Sequence, residues 1–104
     1  MSGTDPKAFT TRAVTASTTA TASDYVLLCD PAGGAITVTL PAVATTEPGR
    51  PYFVRTTGTT NAVTIDGNAS ETIDGATTKV LASGAIHAAE IVSDGTAWFT
   101  IASF

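Results

Sequence analysis

The chain has 104 residues, 13% of them charged, and a formal net charge of -4. A typical soluble domain is about 25% charged. This length suits one domain of ordinary size. The absence of a long apolar run argues against a membrane span, the abundance of β-branched residues against disorder, and the scarcity of basic residues against wrapping nucleic acid. The single cysteine, Cys29, excludes an internal disulfide.

With so little charge, the polar surface must be built largely from Thr and Ser. Hydroxyls of this kind tolerate burial against a partner better than charges do, which favours an oligomer.

Residues 1–12, "MSGTDPKAFTTR", show no strand or helix period and no apolar core of a secretory signal. They are expected to form a flexible N-terminal arm, with residues 13–104 forming one β-domain. Strands are then expected in chain order. Ala13–Ala22 alternates imperfectly. Asp24–Asp30 ("DYVLLCD") is a continuous apolar run, as for a strand buried on both faces. Pro31–Gly34 is a turn. Ala35–Pro41 alternates cleanly, with Ile36, Val38 and Leu40 on one face and Thr37 and Thr39 on the other. Thr45–Pro51 is a loop, in which Pro48-Gly49 suits the centre of a type II turn. Tyr52–Thr56, Ala62–Asp66, Thr78–Ser83, Ile86–Asp94 and Ala97–Phe104 complete the set, and Asp94-Gly95 signals a hairpin between the last two. No segment carries a helical period. Short strands at this spacing predict an all-β fold, an antiparallel β-sandwich of jelly-roll type, with a β-prism built from three chains as the alternative.

Thr64–Ala76, "TIDGNASETIDGA", gathers Asp66, Glu71 and Asp74 with two glycines. The calcium-loop template needs Gly at its sixth position and Glu at its twelfth. Counting from Asp66, those positions are Glu71 and Thr77. Asp-Gly at a strand end is accounted for by turn chemistry. No metal, cofactor or catalytic residue is expected, and the chain reads as a non-enzyme. His87 stands alone in an apolar strand as a packing or interface residue. Cys29 reads as a small buried hydrophobe. Trp98 and Phe99 point to opposite faces of their strand, so at most one of them faces a ligand; both read as trimer or core packing residues, with Trp98 the core or interface anchor.

The ordered landmarks "TVTLP" (Thr37–Pro41), "PG" (Pro48–Gly49), "AVTID" (Ala62–Asp66), "ETIDGA" (Glu71–Ala76) and "VSDGTAW" (Val92–Trp98) cover roughly residues 15–102. This set resembles a β-rich module of bacteriophage virion proteins, found in tail fibres and in capsid decoration or head-fibre proteins. The resemblance implies a homotrimer, with "IDG…ETIDGA" forming two turns that bracket a short strand. It implies attachment to a major capsid protein on the virion surface after synthesis in the bacterial host cytoplasm, with a tail-fibre module or carbohydrate-binding adhesin as the alternative. A chain holding one module and an arm suits a stand-alone decoration protein. No nucleic-acid or membrane partner is expected, and a glycan is not favoured. Lys7, Phe9 and Arg12 place an aromatic between two cations in the arm, a pattern suited to ordering against a capsid groove. "AIHAAEI" around His87 departs from the family pattern, which puts a subunit contact in doubt there.

Overall fold

The computed structural model describes residues 9–104. Nine strands make up the fold: β1 Thr11–Val14, β2 Thr18–Thr19, β3 Val26–Cys29, β4 Ile36–Thr39, β5 Tyr52–Thr56, β6 Val63–Asp66, β7 Thr78–Leu81, β8 Ala88–Ser93 and β9 Trp98–Ser103. Two short 3-10 turns, Pro31–Gly33 and Val43–Thr45, are the only helical pieces among the described residues. The expected strands from Asp24 onward each have a counterpart. The expected strand Ala13–Ala22 does not survive as one piece: it breaks at a bend into β1 and β2, which join different sheets. The first strand starts at Thr11, so Arg12, read from sequence as part of the arm, is a strand residue. Lys7 lies outside the described residues.

The protein is all-β, with mixed sheets. One sheet runs β1-β3-β5-β8-β9 and the other β2-β4-β6-β7. From β1 to β6 the chain changes sheet at every strand. It returns each time in the same direction, so β1, β3 and β5 lie parallel, as do β2, β4 and β6. This corrects the antiparallel expectation, and jelly-roll connectivity requires antiparallel neighbours. The physical reason is the route of the connections. A strand in the opposite sheet here does the work usually given to a crossover helix. Antiparallel pairing appears for β5–β8, β6–β7 and β8–β9. Asp94 to Ala97 close the β8–β9 hairpin, with Gly95 at φ 97°. Asp94 N donates to Ala97 O, and the Asp94 side chain accepts from the backbone of Thr96 and Ala97. The turn at Pro48-Gly49 also forms as expected: Arg50 N donates to Glu47 O, and Gly49 takes φ 83°.

One core serves both sheets. Leu27, Cys29, Tyr52, Val54, Ile91 and Trp98 enter it from the first, and Ile36, Val38, Val63, Ile65 and Leu81 from the second. The alternation of Ile36, Val38 and Leu40 places all three in this core, with Thr37 and Thr39 facing out.

Candidate functional site

The Ile-Asp-Gly copies occupy different backbone geometries. At the first, a Cβ on Gly67 would lie 2.2 Å from the Glu71 carbonyl oxygen, so only glycine allows this approach. At the second, Asp74 (φ 53°) and Gly75 (φ 86°) both take left-handed backbone. They form a tight turn closed by paired bonds between Ile73 and Ala76, as in a type I′ turn. No strand lies between the copies. Asn68 to Glu71 make a turn there, which corrects the short strand that the family resemblance implied.

The three carboxylates of this stretch have diverged in role. Asp66 ends β6. Glu71 accepts from the backbone N–H of Val43 at 3.1 Å and caps that 3-10 turn. Asp74 accepts from the Thr100 hydroxyl at 2.6 Å and the Thr100 N–H at 2.9 Å, and these bonds hold its carboxyl below the ordinary range. Among the described residues, no three of His, Cys, Asp and Glu gather where they could hold a metal.

A polar cluster ties the start of the domain to its body. Arg12 reaches Asp24 with Nη2 at 2.9 Å and Nε at 3.1 Å. Thr21 N donates to the same carboxylate at 2.9 Å. Burial pushes the Asp24 carboxyl up, but Arg12 and Thr21 together hold it below its ordinary 3.8. Arg50 lies between the rings of Tyr25 and Tyr52, at 4.0 and 4.1 Å, and donates to the carbonyls of Ala22 and Asp24. Arg12 is therefore committed within the chain. Phe9 stacks on Tyr25 with ring centroids 4.7 Å apart and leans on Phe53 at 5.7 Å. Of the three residues read as capsid-binding, the two described ones are packed on the body.

Trp98 is fully buried, with its ring edge-on to Tyr52 at 5.7 Å. Its indole Nε1 finds no acceptor. Phe99, next along β9, points outward and is exposed. The His87 N–H donates to the Thr56 hydroxyl, the His87 carbonyl accepts from the Thr56 N–H, and Nδ1 lies 3.0 Å from the Phe104 carbonyl oxygen. Cys29 is buried in the core, and loss of solvent pushes its thiol up to about 11.

The most distinctive surface is the outer face of the five-stranded sheet. Strand register aligns Val26 with Phe53, Phe53 with Glu90, and Val92 with Phe99. Leu28 and Arg55 are neighbours in the same way, and Arg55 is opposite Ala88. The result is an apolar band crossed by one cation and one anion. A bulge between Glu90 and Ile91 leaves Ile101 unpaired and exposed beside Phe99. A groove of about 250 Å³ opens on this face, lined by Phe53, Arg55, Ala88, Glu90, Ala102 and Phe104 among others. The outer face of the second sheet is different: register aligns Thr37 with Thr64 and Thr39 with Asp66.

Sequence reasoning found Phe99 but missed Phe53, Arg55, Glu90 and Val92. The signal it did hold was the run Val26–Cys29, where Leu27 and Cys29 fill the core while Val26 and Leu28 remain half-covered outside. Neither a scan of protein-family models nor a search of curated proteins gave a match.

Proposed function

We propose that the chain is a structural β-sandwich module of a phage virion, a capsid decoration or head-fibre protein that acts as a homotrimer. The observation that carries this reading is the contrast between the two outer sheet faces. One carries Thr37, Thr39, Thr64 and Asp66 with Val80 as an isolated exposed apolar residue; the other presents a continuous set, Val26, Leu28, Phe53, Val92 and Phe99. Contiguous apolar surface of this kind marks a site of association. Three copies arranged about an axis would cover it, in keeping with the closed symmetry usual for homo-oligomers. The virion assignment is supported by the ordered landmarks. "TVTLP" closes β4, "PG" leads into β5, "AVTID" is β6, "ETIDGA" is the tight turn and "VSDGTAW" is the β8–β9 hairpin. The role is mechanical: the trimer binds the outer shell and holds neighbouring capsid subunits together.

The test has two arms. Light scattering of the purified chain at micromolar concentration is expected to give three times the chain mass. Electron microscopy of the parent particle, with this protein labelled, is expected to place it on the head. Label on the tail would replace the decoration reading with the tail-fibre one. Label on neither would end the virion reading.

A further inference from the structure

We infer that the outer face of the five-stranded sheet is where copies of this chain meet, with Arg55 of one copy paired to Glu90 of the next across an apolar seam. This rests on the self-association part of the proposed function and is independent of the virion assignment.

The apolar run of β3 has the pattern of a strand covered on both faces. In the single chain only Leu27 and Cys29 are covered; Val26 and Leu28 are half-buried on the outside. Across the sheet the same face continues through Phe53, Val92 and Phe99. Phe9 covers part of it near Tyr25 and Phe53, and the remainder stays open.

Charge selects the occupant. Arg55 and Glu90 both line the groove, and they are opposite in sign. The one ion pair among the described residues is Arg12–Asp24, so neither has an ionic partner among the described residues of its own chain. A partner surface carrying one sign would satisfy one of the two and oppose the other. A second copy brings both signs at once, and a seam that is otherwise apolar fixes their register. The groove also argues against a small molecule. Its volume of about 250 Å³ lies below the usual range for ligand sites, roughly 300–1,000 Å³. A single protruding side chain fits it better, and Phe99, Ile101 and Phe104 all protrude from the same edge.

The experiment uses the full chain and four single variants: Arg55→Glu, Glu90→Arg, Phe99→Ser, and Thr64→Lys on the opposite sheet as a control. Sedimentation equilibrium reads the association constant, and circular dichroism verifies the fold. Arg55→Glu and Glu90→Arg are each expected to weaken association at least about tenfold, because they place like charges together. Phe99→Ser should weaken it comparably and Thr64→Lys should not. Mixing the Arg55→Glu and Glu90→Arg proteins should recover assembly in part, since a ring of three then opposes charges at two of its three contacts, and the double variant Arg55→Glu/Glu90→Arg should recover it fully, because every contact is again opposite in sign. A pair made within one chain gives no recovery on mixing, so the absence of any recovery overturns the Arg55–Glu90 assignment. Undiminished assembly of all three folded face variants overturns the face while leaving self-association intact. A wild-type chain that stays monomeric overturns both this inference and the oligomeric part of the proposed function.

Discussion

At the residue scale, two side chains hold more than their own volume. Trp98 fills the core, yet its N–H has no acceptor there. A buried unpaired donor costs about 1–3 kcal/mol. Trp98→Ala should therefore cost roughly 3–5 kcal/mol, as for other large aromatics. Trp98→Phe should cost far less, because the lost volume is partly offset by removal of the orphaned donor. Urea unfolding of the two variants measures the gap. Arg12 gives a pH-dependent counterpart. Its guanidinium is partly exposed, so the pair with Asp24 is screened, and Arg12→Ala should cost about 1–2 kcal/mol near neutral pH. The Asp24 carboxyl is held below 3.8 in the folded chain. Its stabilisation is thus fully present above the unfolded value and is lost as pH falls through the lower folded value. The gap in stability between wild type and Arg12→Ala should be constant around pH 6 and shrink steadily below about pH 4.

At the scale of elements, hydrophobic alternation made the strands legible. Ile36, Val38 and Leu40 reveal the inward face of β4, and Asp94-Gly95 reveals the last hairpin. Pairing direction was not legible. Alternation looks the same in parallel and antiparallel strands, and no residue in the linkers announces that the chain is about to change sheet. The boundary of the arm was misplaced for a related reason. Arg12 belongs in a strand because Asp24 receives it, and Asp24 is distant in sequence. A chain beginning at Ala13 would lose Thr11 and Arg12 from β1 and the Phe9–Tyr25 stack together. Its midpoint in thermal unfolding should fall by several degrees, since about 1 kcal/mol moves a domain of this size by roughly 4–8 °C.

At the scale of the whole molecule, the candidate site is a property of register. Val26 and Leu28 were visible in one run, whereas Phe53, Glu90, Val92 and Phe99 meet only after three further strands are aligned with β3. The same sheet-to-sheet winding governs how the molecule assembles in time. Each parallel pair encloses an excursion through the opposite sheet, so its closure costs chain entropy before pairing rewards it. The β8–β9 hairpin needs only Asp94 to Ala97. It can therefore lead, with β5 next against β8. Folding kinetics should give Ile91→Val a φ-value of about 0.5–0.8 and Val14→Ala one of about 0–0.3. Synthesis runs the other way, delivering the N-terminal strands first at about 5–20 residues per second. Strands β1 and β2 thus leave the ribosome before the hairpin that starts the fold exists, and the earliest-made part of the chain is the last to be secured.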